Sequence, residues 1–133
     1  MSDHQPYDRT NLGRVELAHV RAHGGEGVIR FARLADRESM VGGCNFIDFA
    51  ELPPGTSIGR HTHAETEAEF YLVLHGRGEM TLNGETFAIE PGDLIRNPPG
   101  GTHSLRNTGS EPLQSRSSAD FPADVSCTGP TSR

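Results

Sequence analysis

Four residues stand out for the chemistry that their types and spacing allow: His61, His63, Glu69 and His103. His61 and His63 are two positions apart, and on a β-strand that spacing turns both imidazoles to one face. Glu69 opens the next apolar run, so a hairpin is expected to bring its carboxylate opposite the pair. His103 falls on a later strand that a barrel can fold beside the other two. Three imidazole nitrogens and one carboxylate oxygen suit a single divalent transition metal: zinc, iron, manganese, nickel, cobalt or copper. Four protein ligands leave one or two positions open on a five- or six-coordinate ion, where a small molecule or dioxygen can bind.

The elements that must carry these residues read as short strands. The chain has 16 Gly and 9 Pro, above average usage, and they cluster between short apolar runs as turns do between strands. Strands are expected over residues 15–20, 28–34, 44–52, 57–63, 69–74, 79–82, 85–89, 93–96 and 103–107. The run FYLVL, residues 70–74, is the most apolar and should be a central strand. Asn83-Gly84 is the favoured two-residue hairpin turn, because both residues tolerate positive φ. Residues 35–39 read as a loop or one helical turn, and residues 97–101 as a rigid loop. No helical periodicity appears, and many short strands at regular spacing mean an all-β sandwich or barrel. Three segments follow: a flexible N-terminal segment over 1–14, one domain over 15–114, and a polar tail over 115–133 that is expected to be disordered.

Composition narrows the function classes. A chain of 133 residues is one domain with one modest core. The net charge is −6 with both signs scattered and no basic run, which argues against nucleic acid as a partner. No apolar stretch is long enough to span a membrane, and the polar start MSDHQPYDRT does not resemble a signal peptide. Cys44 and Cys127 form no close pair, so no disulfide framework is expected and a cytoplasmic location is.

Two motifs tie the candidate ligands to a known family. The first runs G-x5-H-x-H, three or four residues, E, six residues, G; here Gly55, His61, His63, Glu69 and Gly76 fit it, with five residues between His63 and Glu69. The second, G-x5-P-x-G-x2-H-x3-N, is met by Gly92, Pro98, Gly100, His103 and Asn107 without a gap. In these positions, and in segments such as AHGGEG, ELPPG and PGGTH, the sequence resembles the cupins, in particular small bacterial single-domain ones. The resemblance implies a single cupin domain, a double-stranded β-helix or jelly-roll barrel, with the metal inside it. The extra residue leaves two carboxylates in play: counting back from Gly76 favours Glu69, and counting forward from His63 favours Glu67.

Other residues stay open between two roles. His75 faces either the pocket or solvent. His23 with Glu26 forms either an arm over the barrel mouth or a plain glycine-rich turn. Tyr71 shares parity with Glu69 and lines either the cavity or the core. Cys44 reads as a small buried hydrophobe and Asn107 as a brace for its loop. Cupins of this kind include dioxygenases, isomerases, lyases and enzymes that form nitrogen–nitrogen bonds, some of them in secondary or amino-acid-derived metabolism, as well as plain binding proteins. The resemblance therefore implies a metal-dependent enzyme on a small-molecule substrate, with a non-catalytic metal- or ligand-binding protein as the alternative. The strand-like segments before the barrel motifs offer an edge that a homodimer would cover.

Overall fold

A computed structural model describes residues 9–36 and 44–120. Among these, the chain forms strands only: β1 (Ala18–Val20), β2 (Ile29–Asp36), β3 (Cys44–Leu52), β4 (Ser57–Thr62), β5 (Ala68–His75), β6 (Gly78–Leu82), β7 (Glu85–Ile89), β8 (Leu94–Asn97), β9 (Thr102–Arg106) and β10 (Leu113–Asp120). They make two antiparallel sheets, a larger one ordered β1-β2-β3-β10-β5-β8 and a smaller one ordered β4-β9-β6-β7. From β3 onward consecutive strands cross from one sheet to the other, except at the β6–β7 hairpin, which is the jelly-roll arrangement the motifs imply. The hairpin β6–β7 turns at Asn83 and Gly84 with φ of 50° and 88°, as that dipeptide requires.

The core fills the space between the sheets. Ile29, Leu52, Val73, Met80, Leu105 and Leu113 are all buried there. Asn107 braces one end of this sandwich. Its Nδ2 donates to the carbonyls of Leu52 and Glu111 at 2.8 Å each, and its Oδ1 accepts from the amide of Gly109. One side chain thus joins the end of β3 to the turn that enters β10, so the expected loop brace is also a staple between strands.

The sequence reading needs three corrections. The polar segment from Ser115 is not a disordered tail over Ser115–Asp120: these residues belong to β10, which pairs with β3 on one side and β5 on the other. Ser115, Ser117 and Ser118 are buried, the ladder satisfies their backbone, and Ser115 and Ser117 face the cavity between the sheets. The remainder of that segment lies outside the described residues. Second, β4 and β5 form no hairpin; they sit in different sheets, so Glu69 reaches His61 and His63 across the barrel interior. Third, Ala35 and Asp36 extend β2 rather than forming a loop or helical turn. Residues 37–43 and the side chain of Cys44 lie outside the described residues.

Burial ranks the apolar positions. Replacing Leu113, with 0% exposure, by Ala should cost about 2–5 kcal/mol by leaving a cavity at the centre of the larger sheet. The same change at Leu94, 64% exposed, should stay within about 0.5 kcal/mol. Urea unfolding of the metal-free protein checks the ranking; equal costs would contradict the placement of β10.

Candidate metal centre

A regular strand could not present both the core and the cluster from β4. Ile58 pairs with Leu105 and His61 with His103, so three steps on β4 match two on β9. The extra residue is a β-bulge, which re-aims the strand so that Ile58 and His61 both face inward despite their odd separation. The bulge also sets the chemistry of His61, whose Nδ1 lies 2.9 Å from the carbonyl of Gly59. An imidazole nitrogen facing a carbonyl must carry the proton, which leaves Nε2 with its lone pair for the cavity. His63 follows two residues later and is pinned by its amide to the carbonyl of Gly101 at 3.0 Å.

Glu69 enters from the opposite sheet. Its Oε1 lies 2.5 Å from His63 Nε2 and 3.2 Å from His103 Nε2. His61, His63, Glu69 and His103 each place one ligand-capable atom within 4.8 Å of all the others. His63 Nε2, Glu69 Oε1 and His103 Nδ1 are buried without a well-aligned hydrogen-bond partner. Buried polar atoms are normally paired, so two that face each other without an aligned bond, His63 Nε2 and Glu69 Oε1, fit a bound cation. The donor types agree, since imidazole and carboxylate suit a divalent transition metal.

Glu67 has a different place from Glu69. It stands before β5, in the 64–67 turn closed by its own amide to the carbonyl of Ala64, and its Oε1 meets His63 Nδ1 at 2.8 Å. The two carboxylates therefore hold opposite nitrogens of one ring. Glu67 lies on the outer side, where a carboxylate fixes the tautomer and orientation of a ligating histidine. The extra residue in the first motif is taken up in that turn.

The electrostatics follow from this geometry. Contact with Glu69, then the hydrogen bond to Glu67, raise the pKa of His63 to about 9 against the effect of burial. Burial alone would raise Glu69, but His103 and His63 overcome it and hold the carboxyl at about 2. Burial lowers His61 to about 4, so its ring is neutral at pH 7. Tyr71 places its hydroxyl 3.1 Å from His103 Nε2; burial, with Glu69 and Asp48 nearby, keeps it a neutral phenol.

The open residues now have positions. His23 does fold over the mouth: its ring stacks on His61 with centroids 3.6 Å apart and planes 10° apart. The arm that carries it is clipped to β4 backbone to backbone. The amide of Gly59 donates to the carbonyl of Ala22 at 3.0 Å, and that of Ser57 to the carbonyl of Glu26 at 2.9 Å. A Cβ on Gly25 would lie 2.1 Å from the Ser57 carbonyl oxygen, and one on Gly59 2.0 Å from that of His23, so only glycines allow the clip. Tyr71 serves both core and cavity. His75 is exposed and pairs with Glu111, outside the cavity.

The cluster borders a cavity of about 340 Å³. Sequence reasoning missed most of its far wall, to which Phe31, Arg33, Phe46, Asp48, Ser115 and Ser117 contribute. The available signal was period-two parity on β2 and β3. Arg33, Asp48, Ser117 and Tyr71 are register partners across four adjacent strands and form one inward row.

Comparison with known proteins agrees with this architecture. The family model for the cupin domain matches residues 48–115. The oxalate-binding protein of Thermotoga maritima is 37% identical over 91 residues, covering 68% of this chain and 74% of that protein. A solved structure of a predicted oxalate decarboxylase from Thermotoga maritima superposes with a TM-score of 0.82 at 29% identity, over 86% of this chain and 99% of that one. The polyketide cyclase RemF of Streptomyces resistomycificus shares the fold, with a TM-score of 0.72 at 22% identity over 86% of this chain and 79% of that one.

Two outcomes are expected of metal binding. The metal must displace the proton that His63 holds up to about pH 9, so affinity should rise as pH rises toward 9 and fall as pH falls below it. A chelator-competition titration that is flat between pH 6 and about pH 9 would contradict this. Glu67→Ala should weaken binding by about 10–100-fold through loss of the support to His63, and Glu69→Gln should weaken it more. The reverse ranking would make Glu67 the ligand.

Proposed function

The chain belongs to the cupin domain family, and from that footing we propose that it is a metal-dependent enzyme acting on a small molecule, with one divalent transition metal held by His61, His63, Glu69 and His103. The supporting observation is the convergence of four ligand-capable side chains, three of which carry a buried atom without an aligned hydrogen-bond partner. A metal there supplies Lewis acidity toward the oxygen or nitrogen atoms of a bound molecule. The chain's own residues do the rest. The Gly59 carbonyl and Glu67 hold two rings in the ligating tautomer. Tyr71 stays protonated beside His103 and offers a hydroxyl to whatever occupies the cavity. The two sheets keep the cluster apart from bulk water.

The ligand class proposed is a small carboxylate with adjacent oxygen atoms, in keeping with the name of the oxalate-binding relative. That name also favours the second reading, a protein that binds such a ligand through its metal without turning it over. Among the described residues no helix is long and apolar enough to cross a membrane; a cytoplasmic site of action is part of the proposal. So is a homodimer. Strand β1 covers only Ile29–Phe31 of β2, so the rest of β2 is an edge among the described residues, and a second chain would cover it.

Metal analysis of the purified protein should find about one transition metal per chain, with ligand distances of about 2.0–2.2 Å by X-ray absorption. His61→Ala with unchanged metal content would sink the assignment. Turnover of a candidate carboxylate that disappears in Glu69→Gln together with the metal supports the enzyme; saturable binding without turnover supports the second reading. Light scattering should give a dimer at micromolar concentration, and a monomer throughout that range would refute the assembly.

A further inference from the structure

We infer that the ligand is not a bare dicarboxylate but a carboxylate with an apolar body, and that the wall made by Val20, Ile29, Phe31, Phe46 and Ile58 selects for that body. This rests on the metal-bound reading above and goes further, to the shape and polarity of the molecule.

The cavity volume of about 340 Å³ falls at the lower end of small-molecule sites. Its polar groups are concentrated in two places. One is the histidine–glutamate cluster. The other is Arg33 with Asp48, and these satisfy each other in a two-point contact: Nε to Oδ1 at 2.8 Å and Nη2 to Oδ2 at 2.9 Å. Both carboxylate oxygens of Asp48 are therefore engaged, and the Arg33 guanidinium lies over the Phe46 ring at 4.6 Å from its centroid. Ser115 and Ser117 add two small hydroxyls on β10, and the rest of the wall, from Val20, Ile29, Phe31, Phe46 and Ile58, is aliphatic and aromatic. Phe31 and Phe46 are only partly buried, so they keep exposed ring area for a ligand to cover.

A ligand with adjacent oxygens and nothing else would satisfy the cluster and leave that wall wet. A 2-oxo carboxylate bearing an apolar side chain presents the same pair of adjacent oxygens and covers the wall as well, which removes apolar surface from water. Val20, Ile29, Phe31 and Phe46 all precede residue 48, where the match to the cupin domain begins. Strand β2 presents Ile29, Phe31 and Arg33 at alternate positions, so the same strand face that seals the barrel shapes what it accepts.

The experiment is calorimetric titration of the zinc-loaded protein with two probes, oxalate and phenylpyruvate. Zinc loading is measured first and separately, by equilibrium dialysis. Phenylpyruvate should bind at least about ten-fold more tightly than oxalate, with the more negative heat-capacity change of apolar burial. Phe31→Ala should reduce phenylpyruvate affinity by about ten-fold and leave oxalate within about two-fold. Phe31→Leu, a milder change that keeps the fold, should give the same selectivity with a smaller loss. Oxalate binding as tightly as phenylpyruvate, or both probes weakened alike by the Phe31 variants, would overturn the inference while the metal site stands. Failure of zinc to load would overturn the metal-bound reading itself, and this inference with it.

Discussion

Everything at the centre of this barrel depends on one extra residue in β4. Ile58 belongs to the core and His61 to the cluster, and an odd separation along a regular strand would send one of them to solvent. The bulge resolves the conflict and frees the Gly59 carbonyl to fix the His61 tautomer. It also sets the register by which His61 faces His103 across the ladder, with ring centroids 4.3 Å apart. Without it the strand could keep Ile58 in the core or point its imidazoles inward, but not both.

The second constraint is electrostatic. Glu69 is almost wholly buried, and an isolated buried carboxylate is costly. It is tolerated because His63 and His103 surround it with positive or donor character. The same carboxylate raises the proton affinity of His63. A group of this composition is therefore in balance only when something cationic sits among its atoms, a proton or a metal. The histidines and the carboxylate are as necessary to each other's burial as to any ligand.

Much of this was legible in the sequence, for identifiable reasons. The Asn83-Gly84 hairpin, the FYLVL strand and the His-x-His pair are local signals, and each element formed where local chemistry put it, within a residue or two. Sheet membership is not local, so nothing in the run from His63 to Glu69 told that the chain crosses the barrel there instead of turning back. Strand β10 was hidden for another reason. Its sequence LQSRSSAD is polar, and only its position between two strands makes small buried serines acceptable. Counting from Gly76 and counting from His63 pointed to different carboxylates, Glu69 and Glu67; in the structure Glu69 groups with the three histidines, while Glu67, in its own turn, meets His63 from the other side. The arm of His23 was undecidable from its glycines alone, since a glycine kept for a close backbone approach looks the same as one kept for a turn.

The cluster and most of the wall opposite it come from separate stretches of chain. His61, His63, Glu69 and His103 sit on or beside β4, β5 and β9, whereas Val20, Ile29, Phe31 and Phe46 sit on β1, β2 and β3. Ile58 on β4 completes the wall, and at the mouth the glycine clip and the stacking of His23 on His61 join the two. The wall can therefore be altered, one side chain at a time, without touching the ligating residues. A barrel divided in this way can change what it accepts through one set of strands while another set keeps the ligating residues in place.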